Sequence, residues 1–211
     1  MNKSSRYFVF IYPSKSDIRD YLNLAVYALS PNEKWPAHIT VAGPFAKLPR
    51  ARAEAKFDAT IFSFGVWNFF SQGINTVYLK VGVPDIRRYW LKPSFATNPV
   101  PHITLYNGDD AEYARLVFER LSKLKLEFSF RAQGISVVNS SAQRPMDLRE
   151  QVNVSCLPRT RDLNVDDLRK LTPEERLEIA VDALSACLTS SKNSGSFKTG
   201  IFSNVNGLKK D

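Results

Sequence analysis

Both histidines of this 211-residue chain occur in the same short pattern, His-Ile-Thr. One copy runs from His38 to Thr40, and the other runs from His102 to Thr104. If isoleucine and threonine each filled one position in twenty, a given histidine would be followed by both roughly once in 400 cases. Because residues i and i+2 of a strand point to the same face, each copy presents an imidazole together with a hydroxyl. The sequence therefore predicts two matching His/Thr pairs that face one another.

Two imidazoles and two hydroxyls suit the cleavage of a phosphodiester. With an ordinary pKa of about 6.5, one imidazole can take a proton from the attacking hydroxyl or water while the other gives a proton to the leaving oxygen. Threonine hydroxyls can donate to the phosphate oxygens on which charge builds up. A lone histidine at a strand end is usually structural, so the repeated tripeptide carries the prediction that His38, Thr40, His102 and Thr104 are catalytic.

The two motifs with their small or apolar flanks, Ala37–Phe45 and Pro101–Tyr106, resemble those of the two-histidine phosphoesterase superfamily. Within it the chain is similar to the bacterial 2′-5′ RNA ligase-like proteins and to the cyclic nucleotide phosphodiesterases. The resemblance covers about residues 5–156. Gly43-Pro44-Phe45 adds to it, as a Gly-Pro turn that ends a strand beside the catalytic face.

The resemblance implies a bilobal, LigT-like α+β fold, in which two pseudo-duplicated sheet-plus-helix lobes each supply one motif to a central cleft. It also implies metal-independent hydrolysis of a 2′,3′-cyclic phosphate or of a 2′,5′-linked or cyclic oligonucleotide, with His102 as the base for a cyclic phosphate. The residues themselves leave open which histidine is the acid. The alternative function is a nucleotide- or RNA-binding module that holds its ligand without turnover.

Several other side chains are candidates for holding a nucleotide, an oligonucleotide or an RNA end. Tyr12 ends the first predicted strand, Phe45 follows the first motif, and Tyr106 lies two positions after Thr104. Arg144 is in a polar loop between two candidate strands and is suited to bind a phosphate. Further aromatic candidates are Trp67 and Phe69. The net charge of +8 favours an anionic partner, although basic charge is often only a solvated surface.

Hydrophobic periodicity and turn residues predict a mixed α+β chain with an internal duplication around the two motifs. Strands are predicted over residues 7–12, 38–42, 61–70, 76–81, 127–138 and 151–156, with a further strand at the second motif. A helix is predicted to run to about Leu29 with Ser16 or Asp17 as its cap, and further helices are predicted over residues 50–59, 84–91 and 109–124.

The chain divides into a two-histidine phosphoesterase domain over residues 1–156 and a C-terminal helical extension with a poorly ordered tail over residues 157–211. Thr172, Pro173 and Glu175 form the sequence pattern of a helix N-terminus with a capping box. Apolar residues then recur at helical spacing through residue 188. The helix over residues 172–189 either docks on its own domain or binds a protein partner.

The remaining features favour a cytoplasmic protein without a cofactor. The apolar run over residues 7–12 is too short for a signal sequence or a membrane span. Cys156 and Cys187 lack the spacing of a metal or redox site, which makes a reducing compartment the default. The sequence contains no phosphate-binding glycine loop and predicts no zinc site.

Overall fold

The computed structural model describes residues 6–48, 57–71, 73–90, 100–140 and 148–193, and within these ranges the fold is α+β. The strands are β1 (Tyr7–Pro13), β2 (Ile39–Phe45), β3 (Asp58–Ser71), β4 (Ile74–Gly82), β5 (His102–Gly108) and β6 (Ser129–Asn139). The helices are α1 (Asp17–Leu29), α2 (Ile86–Tyr89), α3 (Ala111–Ser122), α4 (Leu148–Gln151), α5 (Val165–Lys170) and α6 (Pro173–Asn193). Short 3₁₀ turns span Val154–Cys156 and Pro158–Thr160.

The six strands form one continuous antiparallel sheet in the order β2-β1-β6-β3-β4-β5. Exchanging β1 with β4, β2 with β5 and β3 with β6 gives the same strand order read from the other edge of the sheet. The sheet therefore has the topology of a pseudo-two-fold repeat. The two halves, β2-β1-β6 and β3-β4-β5, are joined by the pairing of β6 with β3 and are not separate sheets. The motif strands β2 and β5 are the two outermost strands, yet they contact each other, so the sheet curves strongly.

A β-bulge follows the first motif. Phe10 of β1 pairs with Thr40, whereas the preceding residue Val9 pairs with Ala42. Val41 is therefore an extra residue on β2, and such a residue bends a strand and changes the direction of the side chains beyond it.

The second motif is followed by a bulge at the equivalent place. Tyr78 of β4 pairs with Thr104, and the preceding residue Val77 pairs with Tyr106, which leaves Leu105 as the extra residue on β5. The pseudo-symmetry of the sheet thus extends to the residue level around both histidine motifs.

The helices pack against the sheet and against each other around one hydrophobic core. Ser16 caps α1, as predicted, by accepting a hydrogen bond from the backbone N–H of Arg19 at 3.3 Å. Helix α1 packs against β5 and α6, and α3 packs against β3, β4 and β5. Asp110 caps α3 by accepting from the N–H of Tyr113 at 2.9 Å.

Helix α6 is part of this same core. Its predicted capping box is confirmed, because the N–H of Glu175 donates to Thr172 Oγ1 at 3.2 Å and the N–H of Thr172 donates to Glu175 Oε2 at 2.8 Å. The buried residues of α6 belong to the core cluster that residues 6–156 also build. Near the end of α6, Ser191 Oγ accepts from the backbone N–H of Ser129 on β6 at 3.0 Å. Residues 157–193 therefore have no core of their own.

One local prediction is wrong, and another is wrong where the structure describes its end. The strand predicted over residues 151–156 is instead the end of α4 followed by a 3₁₀ turn, where the Asn153 side chain accepts from the N–H of Ser155 at 3.1 Å. The helix predicted over residues 50–59 ends in residues that belong to β3, and its other residues up to 56 lie outside the described ranges. The predicted tail from residue 194 onward lies outside them too. Within the part of the chain that the structure describes, no helix is both long and apolar enough to cross a membrane.

Candidate active site

The side chains with possible chemistry lie on the face of the sheet opposite the core. Strand β4 shows this division most clearly, because Val77 and Leu79 are fully buried whereas Tyr78 and Lys80 are half-buried. Directly opposite residues of an antiparallel pair share a face. The pairing of Tyr78 with Thr104 and of Lys80 with His102 therefore assigns the second motif to the same face.

The His38 ring lies against aromatic side chains of β1. Its centroid is 3.9 Å from that of Phe10 and 6.2 Å from that of Tyr12. His38 Nδ1 lies 2.8 Å from the backbone carbonyl oxygen of Pro36. Because a carbonyl only accepts hydrogen bonds, Nδ1 carries the hydrogen and donates it. Nε2 of the neutral ring is then the nitrogen that is free to accept a proton.

The His102 ring is held in the same way. Its Nδ1 lies 2.8 Å from the carbonyl oxygen of Val100, the residue two positions earlier, and its centroid is 5.0 Å from that of Tyr78. The same reasoning gives His102 the same tautomer, with Nε2 as the reactive nitrogen. Each half of the sheet thus presents one imidazole Nε2 and one threonine hydroxyl on the same face.

The electrostatic surroundings favour a neutral His38. Burial lowers the pKa of His38 from its ordinary value, because enclosure by neighbouring side chains disfavours the imidazolium. The carbonyl of Pro36 and the carboxylate of Glu33 oppose this lowering of the pKa. The positive charge of His102 lowers the pKa further, so the two imidazoles lie close enough to influence each other.

A buried asparagine of α1, which the sequence analysis did not select, anchors the first motif. Asn23 is 1% exposed, and its Oδ1 accepts from the N–H of Ala37, the residue before His38, at 2.9 Å. Its Nδ2 donates to the carbonyl oxygen of Gln151 at 3.2 Å. The available sequence signal is a single amide side chain within the apolar run from Leu22 to Leu29.

Among the predicted binding residues, Tyr12 lies beside the first motif. Its ring is near that of His38, and its hydroxyl is buried without a hydrogen-bond partner among the described residues. Burial raises the pKa of Tyr12, so the hydroxyl keeps its proton at neutral pH and can donate it in a hydrogen bond. A buried donor without a partner is costly, which is consistent with a bound ligand as its partner.

Tyr106 and Phe45 lie elsewhere than predicted. The bulge at Leu105 turns Tyr106 to the face of Val77, where its ring is 8% exposed and packs at 5.3 Å from that of Tyr113. Phe45 is at the far end of β2 from His38, paired with Tyr7, and packs against the core. The Gly-Pro pair before it does not end the strand, since β2 continues through both residues. Arg144 lies outside the described residues.

No family model and no curated protein matches the sequence. Among solved structures, that of Usb1 from Kluyveromyces marxianus is similar to this chain, with 11% sequence identity and a TM-score of 0.33. The match covers 65% of this chain and 97% of that chain. At this TM-score the likeness carries no argument about fold or function.

The described residues offer neither a metal site nor a reactive thiol. No group of three or more His, Cys, Asp or Glu side chains is gathered there in a way that could hold a metal ion. Cys156 and Cys187 are free thiols. Burial raises the pKa of both, to about 12 for Cys156, and this leaves them protonated and unreactive at neutral pH.

Proposed function

We propose that this protein is a phosphodiesterase that cleaves a nucleotide-type phosphodiester by acid/base catalysis with two histidines. One observation carries the proposal: both histidines donate from Nδ1 to the carbonyl two residues earlier, at 2.8 Å in each case. These hydrogen bonds leave Nε2 of each ring available for proton transfer, and the strands of the two motifs, β2 and β5, contact each other. The fold proposed with this function is that of the two-histidine phosphoesterases.

The proposed division of labour makes His38 the base and His102 the acid, which is the reverse of what the family resemblance implies for a cyclic phosphate. His38 is the imidazole whose pKa burial lowers, so it is neutral before reaction and its Nε2 can take the proton of the attacking water or hydroxyl. The oxygen of that group attacks phosphorus, and the bond from phosphorus to the leaving oxygen breaks. His102 acts from its doubly protonated form, in which Nε2 as well as Nδ1 carries a hydrogen, and gives the Nε2 proton to the leaving oxygen. Proton exchange with solvent then restores both rings. With the imidazoles moving both protons, the reaction requires no metal.

Thr40 and Thr104 are proposed to hold the non-bridging phosphate oxygens. Each is half-buried on the same face as its histidine, at the residue just before the bulge. Each hydroxyl can donate one hydrogen bond where negative charge increases in the transition state. The proposed substrates are 2′,3′-cyclic phosphates, 2′,5′-linked nucleotides and cyclic oligonucleotides.

The test is turnover of such a panel in the presence of EDTA. We expect His38→Ala and His102→Ala each to lower kcat by a factor of about 10²–10⁴, the usual worth of a general acid or base. Thr40→Val should also lower kcat, whereas the matched control Thr40→Ser, which keeps the hydroxyl, should retain most of it. The wild-type rate should be bell-shaped in pH, and a flat profile between about pH 5 and pH 8 would contradict the two roles.

Two outcomes would overturn the proposal. Wild-type turnover in both histidine variants would show that other groups do the chemistry. Binding of the panel without turnover by the wild-type protein would favour a nucleotide- or RNA-binding module instead.

A further inference from the structure

An exposed tryptophan lies in the same cross-strand row as the second motif. Trp67 of β3 pairs directly with Tyr78 of β4, which pairs with Thr104 of β5. The three side chains therefore share the face that carries the catalytic residues. Trp67 is nevertheless 47% exposed, which is unusual for the largest apolar side chain. The exposed ring offers a flat surface beside the proposed catalytic centre.

A lysine connects this ring to His102. Lys80 Nζ lies 4.3 Å from the centroid of the Trp67 ring, and Lys80 is the residue that pairs with His102 across the strands. Among the described residues, no carboxylate forms a salt bridge with Lys80. Its positive charge is thus available to an anion near the acid of the reaction. An indole next to an ammonium group matches the two parts of one nucleotide, the base and its phosphate.

The other half of the sheet lacks this pair. Under the pseudo-two-fold relation, Phe10 corresponds to Tyr78 because each pairs with a motif threonine. The counterpart of Trp67 is then Ser136, which pairs with Phe10, and the counterpart of Lys80 is Tyr12. The chemical groups of catalysis are symmetric, whereas these flanking groups are not. The two ends of the proposed site therefore offer different groups to a substrate.

We propose that Trp67 and Lys80 bind the leaving side of the substrate, with the base of the leaving nucleoside stacked on the indole face that Lys80 does not cover and the scissile phosphate at the ammonium group. The inference rests on the proposed function, because His102 gives its proton to the leaving oxygen. It narrows the substrate to a dinucleotide or longer chain whose leaving group carries a base. A 2′,3′-cyclic mononucleotide has no such second base and would use only part of the site.

The first test is equilibrium binding of dinucleotides that carry an abasic residue on one side or the other. Trp67→Ala should weaken binding of the complete dinucleotide about 5- to 150-fold, the usual loss for one stacked base. The variant should bind the dinucleotide that is abasic on the leaving side as wild type does. Trp67→Phe should retain most of the affinity. Ile74→Ala is the matched control, since Ile74 is 55% exposed near the end of the same hairpin.

The second test separates the role of Lys80 by salt dependence. Lys80→Gln should lower the slope of log affinity against log salt concentration by about 0.7–1, as expected for one lost phosphate contact, whereas Trp67→Ala should leave the slope unchanged. An unchanged slope in Lys80→Gln would overturn the assignment of the ammonium group.

Binding and turnover together distinguish this inference from the proposed function. Normal binding by Trp67→Ala in a protein whose cleavage depends on both histidines would refute the subsite alone. Equal weakening of the complete and the abasic dinucleotide would also refute it, because that indicates a general disturbance. If Trp67→Ala weakens binding only of dinucleotides that carry the leaving-side base, and the wild-type protein shows no turnover, the subsite is supported and the proposed catalysis is refuted.

Discussion

Asn23 ties the first histidine motif to helix α1, and its replacement tests how far catalysis depends on that anchor. Asn23→Ala leaves the buried N–H of Ala37 and the carbonyl of Gln151 without their partner. An unpartnered buried donor costs about 1–3 kcal/mol, and the half-buried carbonyl adds the net worth of a lost hydrogen bond, about 0.5–1.5 kcal/mol. We therefore expect the free energy of unfolding to fall by about 1.5–4.5 kcal/mol.

For a chain of this size, that loss corresponds to a decrease of about 3–18 °C in Tm. Loss of the anchor next to His38 should also lower kcat by about 10- to 100-fold with little change in KM, because small displacements of a catalytic group are costly. Thermal unfolding and steady-state kinetics below the lowered Tm measure the two effects separately.

Two variants sharpen the comparison. Asn107→Ala removes an exposed amide that accepts from Thr76 Oγ1 at 3.1 Å, and it should change stability by less than about 0.5 kcal/mol. Asn23→Asp retains the acceptor for Ala37 and loses the donor to Gln151, so it should keep more of kcat than Asn23→Ala. The anchoring argument is refuted if Asn23→Ala unfolds within about 1 °C of wild type and turns over substrate at the wild-type rate.

Three further predictions concern pH, backbone and core. Burial lowers the pKa of His38 below its ordinary 6.5, so the unfolded chain binds a proton at this ring more readily than the folded chain does. The stability associated with the neutral ring is therefore present above pH 6.5 and is lost as the pH falls. His38→Asn should flatten the pH dependence of the urea midpoint below pH 6.5, and an unchanged slope contradicts this. Gly43 has φ +115°, and an added Cβ would lie 2.7 Å from the carbonyl oxygen of Tyr7. Gly43→Ala should therefore lower the free energy of unfolding in urea by about 1–3 kcal/mol. An unshifted urea midpoint would argue against strain at this position. Leu184→Ala should lower the free energy of unfolding by about 2–5 kcal/mol, because Leu184 of α6 is fully buried, and a loss below 1 kcal/mol would contradict a shared core.

The features that could be predicted from the sequence are local ones. The repeated tripeptide predicts that each histidine shares a face with its threonine, since alternation depends only on neighbouring residues. The caps at Ser16 and Thr172 are likewise predictable, because a side chain that bonds to the backbone three residues on needs no other element.

The features that were missed or misplaced depend on contacts between distant parts of the chain. The bulge after Thr104 exists only in the pairing of β5 with β4, so alternation alone assigns Tyr106 to the wrong face. Alternation also leaves the side of Lys80 undecided, because the partner strands fix it. Asn23 meets its partner Gln151 far along the sequence, and nothing local marks it as an anchor.

The strand order has a consequence for how the molecule forms. Each half of the sheet contains one strand from the opposite set of three strands in chain order. Strand β6, from the last three strands, lies beside β1, and β3, from the first three, lies beside β4. The half of the sheet with the second motif is contiguous in the chain, whereas the half with the first motif is complete only when β6, the last strand, has been synthesised. We expect folding to be cooperative and limited by these non-local pairings. A chain that stops before β6 would retain both histidines, but the two halves of the sheet would no longer be joined.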